Sequence, residues 1–194
     1  SRGLGDVYKR QIICWALAGV GLYSCSLDEP SYGKTTSDNY YQKESDIEQA
    51  LTGAYLQLRT TWNEYALNHY FVGDCSTDDA LKGGGNDGDR AEVRDLSDFT
   101  IYTTNGEIGR RWEILYRLIN RCNDVIYYAP DAIGNEELLK RYANEAKALR
   151  AFGYYCLVTT FGEVPLITTP MQPAEILQIP RSPLEKVYEC IVND

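Results

Sequence analysis

Two long stretches of this sequence place apolar residues at steps of three and four, and this spacing restricts the chain to a mainly helical fold. The first stretch follows a capping box of Thr104 and Glu107 and continues to Pro130, whose ring cannot extend a helix. The second begins near Asn135 and ends at Gly162, a residue suited to a helix C-cap. The apolar face of the first stretch contains Ile108, Trp112, Leu115, Tyr116, Ile119, Cys122 and Ile126. The apolar face of the second stretch contains Leu138, Tyr142, Ala146, Leu149 and Phe152. The short connection between them predicts an antiparallel pair.

Two further helices are predicted on either side of this pair. On the N-terminal side, Ser45 and Glu48 form a capping box ahead of apolar residues that recur up to Leu58. On the C-terminal side, Ser182 is the expected N-cap and Pro183 the expected first helical residue. The apolar face of this last helix is left open, which implies packing partners further along the chain.

The fold class expected from these patterns is mostly α, with helical pairs similar to tetratricopeptide pairs and long irregular loops between them. No clean repeat period is present. A weaker helical pattern covers residues 62–71. Small residues of the second long helix are expected to let neighbouring helices approach closely, and they are Ala146, Ala148, Ala151 and Gly153.

The segment 74–102 is rich in Gly and Asp and is predicted to be a long ordered loop, with a short strand near 99–102. Sugars present C–H faces to aromatic rings, and hydroxyl groups to planar amides, carboxylates or guanidinium groups. The loop contains such groups as candidate ligand-binding residues, namely Asn86, Asp87, Arg90 and Tyr102. The alternative is that these residues form solvated loop surface, because the loop contains no Trp.

Several arrangements in this region match catalytic or metal motifs without the context that those motifs need. The sequence GGGNDG at 83–88 has dinucleotide-binding spacing but does not join a strand to a helix. Asp78 and Asp79 are neighbours, which seldom face each other across a sugar as glycosidase carboxylates do. His69 and Cys75 are close in sequence only, which gives weak support for a Cys–His nucleophile. Asp87, Asp89 and Glu92 could offer oxygen ligands to calcium, but they do not follow the spacing of an EF-hand. We therefore predict no enzymatic activity, no metal and no cofactor.

The N-terminal region predicts export followed by lipid attachment. The apolar run at 12–24 is shorter than the roughly 20 residues that a membrane-spanning helix needs. It ends in LYSC, which resembles a bacterial lipobox with Cys25 as the acylated residue. An ordinary buried cysteine is the alternative. The predicted boundaries are a signal segment at 1–24, a lipid-anchored tether at 25–43 and an incomplete helical domain at 44–194, and the first eleven residues resemble a cloning scar.

Charge and cysteine spacing exclude several classes of protein. A net charge of −9 opposes binding to phosphate backbones, so nucleic acid is not an expected partner. The cysteines are widely spaced without a Cys-x-x-Cys, which indicates neither a disulfide framework nor a zinc site.

Arg150 lies in a crowded helix and is expected to pair with a carboxylate or a carbonyl. Core positions are expected for Cys122, Cys156, Trp62, Trp112, Tyr116 and Tyr154.

Five stretches occur in the order found in the N-terminal part of the SusD/RagB family, which this sequence resembles. They are CSLDEP, DIEQALTGAYLQL, RRWEILYRLINRCNDVI, NEAKALRAFGYYCLVTTFGEVPLI and RSPLEKVYECIVND, and the block 149–166 is the most specific. Together they span nearly all of residues 25–194. Members of the family are outer-membrane lipoproteins of Bacteroidetes that face outward and cap a SusC-like, TonB-dependent barrel. They capture glycans, or for some members peptides, for import.

The resemblance implies a SusD-like helical scaffold that is truncated before the family's larger, irregular C-terminal region. Many of the family's binding aromatics lie in that region. The expected function is capture of a glycan at the cell surface and its delivery to a SusC-like barrel, with the protein held in the outer membrane by the lipid on Cys25. Two alternatives stay open, a secreted glycan-degrading enzyme on the same lipid and a helical adaptor of the envelope.

Overall fold

A computed structural model of the chain describes residues 40–59, 69–86 and 88–194. Within these ranges there are six α-helices and no β-strand, so the prediction of a mostly α fold is confirmed. The helices are α1 Glu44–Tyr55, α2 Ala91–Ser97, α3 Gly106–Tyr128, α4 Glu136–Phe161, α5 Pro173–Ile176 and α6 Leu184–Asn193. Short 3₁₀ helices cover Leu56–Leu58 and Ala129–Asp131, and a π-helix covers His69–Asp74. No helix in the described ranges is both long enough and apolar enough to cross a bilayer.

Several predictions fall on residues outside these ranges. They concern the signal segment 1–24, Cys25 and most of its tether, Asp87, and Trp62 with most of the weak helical pattern at 62–71. Residues 69–71, which are the part of this pattern that the structure describes, form the beginning of the π-helix.

Helices α3 and α4 run antiparallel at the centre of the fold, as predicted from the short connection between them. Early in α3, Arg111 Nε donates to Thr160 Oγ1, late in α4, at 2.9 Å. Late in α3, Asn123 Oδ1 accepts from Arg150 Nη1, nearer the middle of α4, also at 2.9 Å. Residue numbers therefore rise along one helix as they fall along the other.

Helices α3 and α4 approach each other closely at Gly153. A Cβ atom placed on Gly153 would lie 3.0 Å from Ile119 Cγ1 of α3, closer than ordinary van der Waals contact. Ala146 is fully buried and Ala151 is partly buried, which agrees with the predicted role of small residues. Ala148 is exposed, so the prediction was wrong at that position, because it lies on the solvent face of α4.

The other helices cover the central pair. Helix α1 packs on both α3 and α4, and α6 packs on α4. Arg121 Nη1 of α3 donates to the carbonyl oxygen of Gly53 in α1 at 2.9 Å, and Tyr55 Oη donates to Glu145 of α4 at 3.2 Å. The core beneath α1 consists of Ile47, Leu51, Ala54, Leu118, Cys122, Val125, Ala129, Leu139, Tyr142, Ala146 and Leu149. The core beneath α6 consists of Ile114, Leu115, Ile119, Tyr154, Cys156, Leu157, Val158, Val164 and Val187.

The caps of α3 and α4 follow from their sequence. Asn135 caps α4, and Gly162, with φ 70°, follows its last residue, as predicted. The N-cap of α3 is Asn105, one residue after the predicted Thr104, because Asn105 Oδ1 accepts from the amides of Glu107 and Ile108 at 3.0 and 3.3 Å.

Two other predicted caps were wrong by one or two residues. Helix α1 begins directly after Lys43, whose backbone amide donates to Asp46 Oδ2 at 3.0 Å, so Ser45 lies inside the helix. Helix α6 begins after Pro183, and Ser182 instead pairs with Val164 through a backbone bond of 2.9 Å. Neither Ser45 nor Ser182 therefore caps a helix with its hydroxyl group.

The extended segment after α4 lies against α3 and α4, held by their side chains. Tyr116 Oη donates to the carbonyl oxygen of Pro165 at 2.7 Å. Asn123 Nδ2 and Tyr154 Oη both donate to the carbonyl oxygen of Ile167, at 2.9 and 2.8 Å. Tyr154 is fully buried, as predicted, and these side-chain bonds satisfy carbonyl groups of the extended segment.

Arg150 connects α4 to three other parts of the fold. Its Nε and Nη2 atoms donate to the two carboxylate oxygens of Asp194 at 2.7 and 2.6 Å. Its Nη1 atom donates both to Asn123 and to the carbonyl oxygen of Thr168, at 2.9 Å each. The prediction that Arg150 pairs with a carboxylate or a carbonyl is confirmed on both counts.

Candidate functional site

The segment 69–104 has a small core of its own, which fixes its shape against the start of α3. Phe71 and Cys75, from the π-helix and the turn after it, pack with Val93 and Leu96 of α2, and Ile108 of α3 lies against this cluster. Helix α2 corrects the prediction of a continuous loop. Its seven residues are too few to show a clear apolar period, and contact with α3 stabilises it.

Arg90 joins the beginning of α2 to α3. Its Nη1 atom lies 3.2 Å from Oε1 of Glu107, whose side chain is buried. Its guanidinium carbon also lies 5.0 Å from the centre of the Phe71 ring, which is a cation–π distance. The backbone of Arg90 is left-handed, with φ 47°. The guanidinium group predicted to bind a ligand therefore contributes to the fold, and its role toward a ligand stays a prediction.

Asn86 organises the turn that precedes Arg90. Its Oδ1 atom accepts from the amides of Gly88 and Asp89, at 2.9 and 3.1 Å, and its carbonyl oxygen accepts from Lys82 Nζ at 2.9 Å. An Asn side chain commonly closes turns in this way. The amide oxygen proposed for ligand binding is therefore already hydrogen-bonded within the loop, and the binding roles of Asn86 and Asp87 stay predictions.

Beyond α2 the chain presents apolar side chains to solvent. Phe99 is 66% exposed and Tyr102 is 63% exposed, with exposed Ile101 between them. We term these three residues the aromatic edge. The segment contains no strand, which corrects the strand predicted at 99–102. Tyr102 is thus a predicted ligand-binding residue whose side chain is exposed, and the sequence analysis did not identify Phe99 and Ile101 beside it.

The backbone of Phe99 adopts a conformation that is unusual for a bulky residue. Its φ is 56°, in the left-handed region where few residues other than glycine occur. The amide of Phe99 donates to the carbonyl oxygen of Leu96 at 3.2 Å, and the next amide, of Thr100, donates to Asp95 at 2.9 Å. These bonds hold the chain in a conformation that leaves the ring exposed, and such strain is concentrated at functional sites in proteins.

Two of the arrangements considered from the sequence, a reactive cysteine and a metal site, can be compared with the structure. Burial raises the pKa of the Cys75 thiol, and the charge of Asp74 raises it further, so this cysteine is protonated rather than nucleophilic at neutral pH. In the part of the chain that the structure describes, His, Cys, Asp and Glu do not gather in groups of three or more that could hold a metal ion.

Comparison with known proteins identifies the family. The model of the SusD-like family, described as "Starch-binding associating with outer membrane", matches residues 26–194. The chain belongs to the SusD-like family. The resemblance found in the sequence is therefore confirmed, and the family is one described by starch binding and by association with the outer membrane.

Individual relatives agree with this assignment. SusD-like protein P2 of Formosa agariphila is 30% identical over 192 residues, which are 96% of this chain and 36% of the relative. The solved structure of a laminarin binding SusD-like protein has a TM-score of 0.69 and 30% identity over 79% of this chain and 33% of its own. Surface glycan-binding protein A from Bacteroides fluxus has a TM-score of 0.66 and 28% identity over 78% of this chain and 32% of its own.

This SusD-like chain spans about a third of the length of these relatives, as their coverages of 36% and 33% indicate. The prediction that the sequence corresponds to only part of a SusD-like protein is confirmed. The matched part contains the whole helical region described above, including the aromatic edge.

Proposed function

We propose that this SusD-like chain belongs to a protein that captures a neutral glycan at the outer membrane, and that the aromatic edge is one of its contact surfaces. The observation that supports this most is the exposure of Phe99 and Tyr102 on a small fixed core. Rings held in this way can stack on sugar C–H faces without a large loss of side-chain entropy. The names of the relatives, one binding laminarin and another a surface glycan, favour the same class of ligand.

A neutral ligand agrees with the charge of the chain. The net charge of −9 repels anionic polysaccharides at low ionic strength. The mechanism is reversible binding without a covalent step. Asn86, Asp87 and Arg90 complete the proposed site as groups that offer donors and acceptors to sugar hydroxyls.

The proposal includes the means of attachment and a partner. We propose that residues 1–24 are removed, that the Cys25 thiol is acylated, and that residues 25–43 tether the helical domain 44–194 outside the cell. The captured glycan then passes to a SusC-like, TonB-dependent barrel. Replacing Cys25 with Ala removes the thiol that would carry the acyl chains. The protein should then leave the membrane fraction, because stable attachment depends on those chains. Co-purification with a barrel protein tests the partner.

Affinity electrophoresis of the full-length protein in gels that contain laminarin or starch tests the binding surface. We expect Tyr102→Ala and Phe99→Ala each to weaken retardation about fivefold, since a lost aromatic contact costs about 1 kcal/mol. Tyr155→Ala is the matched control, because Tyr155 is an exposed ring on α4 and lies outside the aromatic edge.

Unchanged retardation in both edge variants would remove the aromatic edge from the proposal. Release of new reducing ends by the purified protein would favour the alternative of a glycan-degrading enzyme.

A further inference from the structure

A second group of aromatic residues lies at the opposite end of α3 from the aromatic edge. A cleft of about 510 Å³ is lined there by Tyr41, Tyr127 and Tyr128. Tyr102 precedes the first residue of α3 and Tyr127 lies in its last turn, and the 23 residues of that helix rise about 34 Å. The two groups of rings are therefore too far apart to form a single site for a short ligand.

The rings of this cleft are held in fixed positions by one another. The rings of Tyr41 and Tyr128 stack with centres 4.5 Å apart and planes 7° apart. Tyr127 meets Tyr128 edge to face, with centres 5.0 Å apart, and is itself 56% exposed. Tyr41 Oη donates to Asp124 Oδ2 of α3 at 3.2 Å. A ligand that stacks on Tyr127 would therefore bind to rings that are already held in place. Little further side-chain entropy would be lost on binding.

Polar groups of two kinds border these rings. Asn120 and Asp124 lie one turn apart on α3, and the cleft is also lined by Gln172, the N-cap of α5, and by Glu175 within α5. The amide of Gln172 donates to Glu175 Oε2 at 2.9 Å, which holds this border in place. The cleft thus has two carboxylates, and among the described residues that line it there is no Lys, Arg or His. This composition opposes an anionic ligand and suits one rich in neutral hydroxyl groups.

The cleft adjoins a second, more apolar one. Asn120 and Met171 also line a cleft of about 320 Å³ that contains Trp112 and Tyr116. The wall of this second cleft is fixed, because Tyr116 Oη donates to the carbonyl oxygen of Pro165 at 2.7 Å. From position 112 to position 127 along α3 is about 23 Å, so the adjoining clefts make an elongated surface, which we term the tyrosine groove.

We propose that the tyrosine groove is a second subsite for a neutral oligosaccharide, with Tyr127 as the stacking ring and Asn120 and Asp124 as partners of sugar hydroxyls. This inference rests on the proposed function, since it concerns the same class of ligand. An elongated groove with rings at both ends fits a chain of sugars better than a single sugar. A polysaccharide that occupied both the groove and the aromatic edge would bind with avidity.

Calorimetric titration of the full-length protein with maltoheptaose and with laminarihexaose tests the proposal. Tyr127→Ala should reduce the measured stoichiometry by one site, and Tyr102→Ala should independently reduce it by one. Asn120→Ala, an exposed substitution that leaves every ring in place, should weaken only the site that Tyr127→Ala removes. With the polymer in place of the oligosaccharide, each single variant should lose about fivefold in apparent affinity, the loss expected for one aromatic contact. Tyr155→Ala serves as the control in each titration.

The outcomes separate the subsite from the proposed function. Loss of one site in Tyr127→Ala, with Tyr155→Ala unchanged, supports the groove. Unchanged stoichiometry in Tyr127→Ala, while Tyr102→Ala loses a site, overturns the groove and leaves the proposed function intact. An equal loss in Tyr127→Ala and Tyr155→Ala also overturns it, because a specific subsite cannot depend on a remote ring. Failure of the unaltered protein to bind either probe overturns the proposed function and the groove with it.

Discussion

Replacing Arg150 with Met should destabilise the protein more than any exposed charge substitution, because it leaves buried acceptors without a donor. The side chains of Arg150 and Asp194 are each only 7% exposed. The arginine makes two bonds to Asp194, at 2.7 and 2.6 Å, and two more, of 2.9 Å each, to Asn123 and to the carbonyl oxygen of Thr168. All four bonds are lost together in Arg150→Met.

The expected magnitude follows from the cost of stranding a buried charge. Removing one partner of a buried ion pair costs about 3–5 kcal/mol. A domain of this size has a free energy of unfolding of about 5–15 kcal/mol, so the loss is a large fraction of the total. At about 2–4 °C for each kcal/mol, the melting temperature should fall by about 6–20 °C. Urea unfolding followed by far-UV circular dichroism, together with a thermal melt, measures both quantities.

Two comparisons test the reasoning itself. Arg141→Met removes an ion pair of 2.8 Å to Glu145, but the arginine side chain there is 66% exposed, so the free energy of unfolding should be nearly unchanged. The double variant Arg150→Met, Asp194→Leu should recover part of the stability lost in Arg150→Met, because it removes the stranded carboxylate as well. A loss below about 1 kcal/mol in Arg150→Met, or a double variant no more stable than the single one, would refute the explanation.

Three further predictions concern other parts of the fold. Asn105→Ala should lower the free energy of unfolding by about 1 kcal/mol, because two amides at the start of α3 lose their acceptor, as urea unfolding can measure. Gly153→Val should lower it by about 1–3 kcal/mol, because a Cβ there would lie 3.0 Å from Ile119, and the same assay applies. Burial raises the pKa of Cys122 from an ordinary value of 9.0 to about 12. Because the unfolded thiol ionises between these values while the folded one does not, stability should fall as the pH rises above about 9, which urea midpoints at pH 8 and pH 10 would reveal.

Each of the three predictions has a matched control. Thr104→Ala should leave stability unchanged, and a larger effect there than at Asn105 would contradict the cap assignment. Gly109→Val should be tolerated better than Gly153→Val, because no atom from another part of the fold lies within 4 Å of a Cβ placed on Gly109. Equal damage at both glycines would argue against close helix packing. Cys122→Ala should weaken the dependence on pH, and an unchanged dependence would assign it to other groups.

The long helices could be predicted because their apolar period is sustained over many residues, whereas the exact caps could not. Thr104 and Asn105 are both good cap residues, and the sequence contains a suitable Glu three residues after Thr104. What favours Asn105 is a contact from outside the helix, since its Nδ2 atom donates to the carbonyl oxygen of Glu92 at 2.9 Å. A local pattern does not contain that information, because Glu92 belongs to a different helix.

The sequence indicated which side chains of the segment 74–102 could contact a ligand, but not the contacts that those side chains make within the fold. A segment rich in Gly and Asp indicated an ordered loop, and Tyr102 within it is exposed. The sequence shows that Arg90 has donors, but not that Glu107, seventeen positions away, accepts from them. Nor does it show that Phe99 has a left-handed backbone, since that conformation depends on how α2 ends. The sequence thus shows which functional groups the side chains carry. Tertiary contacts decide which of those groups are available to a ligand.

The uninterrupted helix α3 determines how the aromatic edge and the tyrosine groove are oriented with respect to each other. Gly106–Tyr128 contains no proline, so each residue advances the helix by about 1.5 Å and turns it by about 100°. Inserting one residue between the two surfaces would therefore swing one of them about a quarter of a revolution around the axis. Inserting seven would restore the direction to within about 20° while adding about 10 Å. The number of residues in this one helix thus sets both the span and the angle that a single sugar chain would need in order to reach both surfaces.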